Sequence, residues 1–233
     1  SVSKGYKAGG FNVSFLNNDD YLYSPEYNWN YEIGTKLSFL NNRLSADLSL
    51  FYIDWRNQQI TNTIPTVGNV IRNAGRSRNK GIEASFQARP TKSWMMYMNY
   101  GYTDARFVHY QKEERGILKD YGGNYLPMVP RHTFSLTTGY SFYDICSWID
   151  RLTLNAGVSV TGPIYWYEDN QAKQSPYALV NLTITINKGC FTWEAWSKNL
   201  TNTDYLSYYF VTSKAYAQKG KPITLGTSVS ISL

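Results

Sequence analysis

The chain has 233 residues, 42% hydrophobic and 16% aromatic, with a formal charge of +6. No run approaches the roughly 20 apolar residues that a membrane helix needs, so a helical membrane protein is excluded. The basic residues are scattered among acidic ones rather than gathered in one stripe, which gives nucleic-acid binding no footing.

Apolar positions recur along the chain with a period of two and with hardly any helical face. A less regular strand is predicted near Ser3 to Val13, then a long connection over Leu16 to Tyr27. Tyr31, Ile33, Thr35, Leu37 and Phe39 alternate with Glu32, Gly34, Lys36 and Ser38. A tight turn at Asn41 and Asn42 leads into Leu44, Ala46, Leu48, Leu50 and Tyr52, set against Ser45, Asp47 and Ser49, which reads as a hairpin. After a long connection over Gln58 to Arg78, Ile82, Ala84, Phe86 and Ala88 oppose Glu83, Ser85 and Gln87. Pro90 and Thr91 turn the chain into Trp94, Met96, Met98, Tyr100 and Tyr102.

A long connection over Arg106 to Arg131 follows, then the face Phe134, Leu136, Thr138, Tyr140 and Phe142. Past a turn between Asp144 and Asp150 come Leu152, Leu154, Ala156, Val158 and Val160. Gly162 to Pro176 is long; strands over Val180 to Ile186 and Phe191 to Lys198 are joined near Gly189. Thr201 to Lys221 is again long, and Ile223 to Leu233 makes about ten strands.

The apolar faces carry no Lys, Arg, Asp or Glu, whereas the opposite faces are Ser, Thr, Asn, Gly, Gln and occasional charges. In a soluble sandwich the polar face meets bulk water and is normally rich in Lys and Glu. Small neutral residues there point to an enclosed, hydrated lumen instead. A closed barrel keeps the average hydropathy of a soluble protein, because only alternate residues face lipid. Connections alternate short and long, as in outer-membrane barrels with tight periplasmic turns and extended external loops. Phe39, Trp94, Phe142 and Phe191 are expected at the periplasmic interface, and Tyr31, Tyr52, Tyr100 and Tyr102 at the outer one, forming two aromatic girdles. The predicted class is all-β, an antiparallel up-and-down transmembrane barrel. A soluble carbohydrate-binding sandwich and a passive porin or adhesin barrel are the alternatives.

Pro25 to Ile60, PEYNWNYEIGTKLSFLNNRLSADLSLFYIDWRNQQI, resembles the barrel of TonB-dependent receptors: Pro-Glu, a Tyr-Glu-x-Gly-x-Lys strand, a tight turn, then Phe-Tyr-x-Asp-Trp. RNAGRSRNKGIEASF, Arg72 to Phe86, is similar to the family's Asn-x-Gly followed by Gly-x-Glu. LPMVPRHTFSLTTGYSF looks like its Pro-x-x-Pro lead into a late strand, and Ser197 to Tyr205, SKNLTNTDY, like its Asn-Leu-x-x-x-x-Tyr. The resemblance implies about ten strands of a barrel of about 22, with residues 1–233 as its C-terminal part. The N-terminal plug that contacts TonB and the early strands are then expected outside this sequence. The start at Ser1 without Met and without a signal segment agrees with an excised portion. Leu233 departs from the usual terminal aromatic.

The resemblance further implies a multi-pass protein of the bacterial outer membrane, with membrane lipid, TonB and an extracellular ligand as partners and no nucleic acid. A ferric siderophore is the commonest ligand class; haem, cobalamin and glycans are others. Nothing indicates an enzyme: no catalytic motif, cofactor loop or metal-spaced Cys/His cluster occurs. His109 and His132 read as ordinary surface histidines, with haem or metal contact by His109 the alternative. Cys146 and Cys190 read as incidental thiols near periplasmic turns, with a disulfide the alternative.

Tyr21, Tyr23, Trp166, Tyr167, Tyr208 and Tyr209 are the candidate ligand-binding residues of the external loops, Phe210 beside them, because amphipathic rings suit capture of a large ligand. Interface anchoring or loop packing is the equal alternative. Glu32, Lys36, Asp47, Glu83, Glu194 and Lys198 are expected on the lumen face, either lining a substrate route or pairing across strands. Asn73, Gly75, Gly81 and Glu83 are read as serving backbone geometry.

Overall fold

The computed structural model describes residues 1–15, 17–64, 67–73, 75–114, 117–211 and 214–232; Leu16 and Leu233 lie outside the described residues. Ten strands pair in chain order into one antiparallel sheet. They are Val2–Lys7, Glu26–Phe39, Leu44–Arg56, Arg76–Ala88, Trp94–His109, His132–Cys146, Ile149–Thr161, Tyr177–Lys188, Phe191–Lys198 and Thr224–Ile231. A single sheet in up-and-down order is a barrel wall; a sandwich needs a second sheet facing the first.

The register carries the alternation across the wall. Leu37, Ala46, Phe86, Met98, Leu136, Val158 and Val180 form one continuous row. One residue away, Ser38, Ser45, Gln87, Tyr97, Thr137, Gly157 and Asn181 form the row that faces the other way. The apolar face remains uncovered: Ile33 is 71% exposed and Val229 67%. Such a surface is far larger than a soluble monomer tolerates, and hydrocarbon is its natural solvent.

Tight turns close one rim. Leu40, Asn41 and Asn42 all have positive φ, a conformation that Asn tolerates well. Gly189 turns with φ of 52°, and its amide donates to Asp150 Oδ2 at 2.8 Å while Lys188 Nζ donates to Oδ1 at 2.7 Å. Cys146 and Cys190, near this rim, are exposed free thiols.

At the opposite rim each long connection holds its own hairpin: Gly10–Phe11 with Leu22–Tyr23, Gln59–Ile64 with Gly68–Asn73, Gln111–Glu114 with Ile117–Asp120, Ile164–Tyr165 with Lys173–Gln174, and Leu206–Val211 with Ala215–Lys219. The sequence pattern read these as plain loops. The first wall strand is shorter than the expected Ser3 to Val13. Its pairing stops at Lys7 opposite Glu26, because Pro25 comes next on the partner and has no N–H to continue the ladder. Arg76–Ala88 and Trp94–His109 run further than expected, shortening the two adjoining connections.

Candidate ligand-binding site

The aromatic residues of the late loops converge. Trp166 lies with its ring centroid 6.4 Å from those of both Tyr208 and Tyr209, and Tyr167 stands 6.2 Å from Tyr209 in an edge-on contact. The Val211 amide donates to the Tyr167 hydroxyl at 2.6 Å, locking the 164–174 hairpin onto the 206–219 hairpin. Trp166 is only 5% exposed, so its role here is packing. Tyr208, Phe210 and Tyr216 are exposed and follow one another at 5.8 and 5.1 Å, an aromatic strip facing outward from the loop cluster.

Between this pair of hairpins and the 111–120 hairpin lies a cavity of about 730 Å³ lined by Lys112, Ile117, Lys119, Tyr121, Tyr167, Glu168, Asp169 and Val211. Lys112 Nζ stands 3.6 Å from Glu168 Oε1 across the opening. A cavity of this size admits a ligand of several hundred daltons, with charges of both signs for polar groups and tyrosines for flat ones. Tyr121 also belongs to a small core with Ala105, Phe107, Tyr110 and Leu126, on which Ile60 and Val129 pack. Asn170 ties the 164–174 hairpin to Tyr125: its Oδ1 accepts from the Tyr125 amide at 2.7 Å and its Nδ2 donates to the Tyr125 carbonyl at 2.9 Å.

Tyr21 and Tyr23 lie elsewhere, in the first hairpin. Tyr21 packs against Phe11 and Phe15 at 6.0 and 5.3 Å, and Tyr23 lies over Gly10. Of the six rings singled out in the sequence, Tyr167 alone lines the cavity among the described residues, and Tyr208 and Tyr209 flank it. Lys112, Lys119, Glu168 and Asp169 were missed, since charged residues in a long connection read as ordinary solvated loop. Gln111 to Asp120 carries no period-two alternation that could have marked the hairpin, since its only aliphatic residues, Ile117 and Leu118, are adjacent.

On the polar face Glu32, Lys36, Asp47 and Glu83 share one groove of about 310 Å³. Lys36 stands directly opposite Asp47, and Ser49 Oγ donates to Glu32 Oε1 at 2.9 Å with Glu83 opposite Ser49. Glu194 and Lys198 sit on the same face at the far side of the wall. Glu194 is flanked by Thr185 and Ser228, and Lys198 Nζ lies 5.2 Å from the Trp196 ring.

The family motifs hold backbone. Asn73 Nδ2 donates to the carbonyls of Ser24 and Asn57 at 2.9 and 2.7 Å. A Cβ on Gly75 would lie 2.0 Å from the His109 carbonyl oxygen, and one on Gly81 2.1 Å from that of Tyr102. Asn199 has positive φ and is 4% exposed. Its Nδ2 donates to the carbonyls of Thr203 and Lys221, each at 3.0 Å.

Residues 1–203 match the family model "TonB dependent receptor-like, beta-barrel". The chain belongs to the TonB-dependent receptor β-barrel family. Members of this family are outer-membrane β-barrel proteins, which agrees with the exposed uncharged face of the wall. The probable TonB-dependent siderophore receptor PiuA of Acinetobacter baumannii is 30% identical over 166 residues, 69% of this chain and 21% of its own length. The pesticin receptor of Yersinia pestis is 27% identical over 99% of this chain and 33% of its own length. The crystal structure of the ferric yersiniabactin uptake receptor FyuA from Yersinia pestis superposes with a TM-score of 0.82 at 24% identity, over 99% of this chain and 34% of that one. This last likeness establishes the fold. The chain thus covers between 21% and 34% of the length of these proteins.

Proposed function

We propose that this chain forms the C-terminal wall and loops of an outer-membrane receptor that takes up a large, scarce nutrient, a ferric siderophore, at the cost of energy delivered through TonB. The rest of the barrel and the TonB-contacting plug belong, in this reading, to the remainder of a longer protein. The observation that carries it is the rim cavity lined by Lys112, Lys119, Tyr121, Tyr167, Glu168 and Asp169. Its two lysines are balanced by Glu168 and Asp169, so the lining suits a large ligand with both polar and flat groups, for which Tyr121 and Tyr167 supply area. Relatives named as siderophore receptors support the same ligand class.

The chain's own part is passive. Loops contribute capture surface, and the groove of Glu32, Lys36, Asp47 and Glu83 keeps the adjoining lumen hydrated. The role is that of a receptor and transporter rather than an enzyme. A strain lacking the full-length gene, grown under iron limitation on a panel of ferric siderophores, should lose growth on one of them and regain it on complementation. Unchanged growth and unchanged iron uptake across the panel, with a defect on haem, cobalamin or a glycan instead, would move the assignment to that nutrient.

A further inference from the structure

The outward face does not end at its tyrosines. Ile82 is the last aliphatic residue of that face on the Arg76–Ala88 strand. Lys80, Arg78 and Arg76 follow on the same side, roughly 7, 13 and 20 Å further along at about 3.3 Å per residue. The register sets Tyr52 beside Lys80, Asp54 beside Arg78 and Arg56 beside Arg76 on one flank. On the other flank Asp104 stands beside Lys80 and Arg106 beside Arg78. Trp29 continues the row past Asp54, and Lys4 past Trp29.

Across these five strands Lys4, Arg56, Arg76, Arg78, Lys80 and Arg106 outnumber two carboxylates, Asp54 and Asp104, and both are already engaged. Asp54 accepts from Arg56 Nη2 at 2.8 Å and from Arg76 Nε at 2.5 Å. Asp104 accepts from Arg106 Nε at 2.8 Å and lies 3.8 Å from Lys80 Nζ. The side chains of Asp54 and Asp104 are 8% and 13% exposed, against 44% for Arg76 and 55% for Lys80. The carboxylates therefore lie underneath and orient the cations, whose heads form the outer layer. Arg78, exposed between Asp54 and Arg106, makes no ion pair among the described residues.

The level of this layer is set by its neighbours. Trp29, Tyr31 and Tyr52 are exposed on the same face, where such rings mark the boundary between hydrocarbon and headgroups. Lys4 Nζ sits 4.7 Å from the Tyr27 ring and 5.7 Å from that of Trp29. A layer of cations just outside that boundary, pointing sideways from the barrel, meets membrane rather than anything passing through the lumen. Guanidinium groups match phosphate oxygens in a planar, two-pronged geometry that water does not reproduce. We propose that this row, centred on Arg76, Arg78 and Lys80, binds the phosphorylated headgroup of a glycolipid in the outer leaflet.

Native mass spectrometry of the full-length receptor, released from detergent in the presence of bis-phosphorylated lipid A, tests this. The wild-type protein should retain that lipid, and should retain the same lipid stripped of its phosphates about tenfold less. The double variant Arg76→Glu with Arg78→Glu should lose retention by about tenfold or more, given about 1 kcal/mol for each basic residue near an anionic surface. Lys92→Ala, which removes a cation at the opposite rim, should stay close to wild type. Equal retention of the phosphate-free lipid by the wild-type protein overturns the proposal, whatever the variants do. So does full retention by a double variant that still shows the heat-dependent gel mobility of a folded barrel. Inorganic pyrophosphate that binds alone and displaces the lipid would show a site for free phosphate, and the lipid assignment would fall. None of these outcomes depends on which nutrient the receptor imports.

Discussion

The Asn73 side-chain Oδ1 accepts the Ser24 amide hydrogen at 2.6 Å across 49 residues of chain. Asn73 Nδ2 donates to the carbonyls of Ser24 and Asn57, so one amide group pins the start of the Glu26–Phe39 strand, the end of the Leu44–Arg56 strand and the second hairpin together. Asn12 does similar work nearby, its Nδ2 donating to the carbonyls of Asp20 and Ile71 at 2.6 and 2.8 Å. Asp20 takes the Arg72 guanidinium in a two-pronged pair at 2.6 and 2.5 Å. Replacing Asn73 with Ala removes three hydrogen bonds that water can reach, at about 0.5–1.5 kcal/mol each. Amide exchange at Ser24 should quicken at least tenfold in N73A while exchange at Leu48 in mid-wall stays slow. Equal protection at Ser24 in both proteins would show that the tether is dispensable.

Gly81 and Gly157 separate a required glycine from a permissive one. A Cβ on Gly81 meets the Tyr102 carbonyl oxygen at 2.1 Å and Phe51 Cζ at 2.5 Å, whereas one on Gly157 finds Thr137 Oγ1 at 3.6 Å. Overfilling a packed contact costs about 1–3 kcal/mol, and more where the obstacle is backbone. Gly81→Ala should sharply lower the yield of folded barrel in the full-length receptor, while Gly157→Ala leaves it near wild type. Heat-dependent gel mobility reads both, and equal yields would contradict the packing argument.

Leu48 and Ser49 test which face meets lipid. They are adjacent in the middle of the Leu44–Arg56 strand and point to opposite sides. An Arg at a lipid-facing position near the bilayer midplane costs about 2–4 kcal/mol, whereas a lumen position is wet. Leu48→Arg should lower the denaturant midpoint for unfolding from phospholipid vesicles well below that of Ser49→Arg. The reverse order would invert the wall.

Lys112 and Lys119 both line the rim cavity. If the cargo is an anionic ferric chelate, reversing both charges to Glu should weaken binding about tenfold or more, the effect growing as salt is lowered. Tryptophan-quenching titration of the full-length receptor with its ferric ligand measures this. Insensitivity to both charge and salt would move ligand capture away from the 111–120 hairpin.

Much of the wall was legible in the residue order because a strand's two faces see different solvents. Leu44 to Tyr52 alternates since each odd step changes oil for water, and nothing distant is needed to specify that. Strand ends were less legible. Pro25 ends the pairing of Val2–Lys7 from the neighbouring strand, and a one-strand pattern does not reveal its partner. The site divided in the same way. Tyr167, Tyr208 and Tyr209 stood out by chemistry, but their association with Lys112 and Lys119 depends on how three hairpins lean together.

The sequence by itself determined the period of two, the uncharged face, the alternation of short and long connections and the family motifs, because these are local consequences of solvent and backbone stereochemistry. Only the tertiary structure decided the register that places Arg78 between Asp54 and Arg106. It alone set the ties through which Asn73 and Asn12 join separate loops, and the cavity between hairpins. Each of those rests on contacts between residues far apart in the chain, whose distance is fixed by strand pairing and loop packing together.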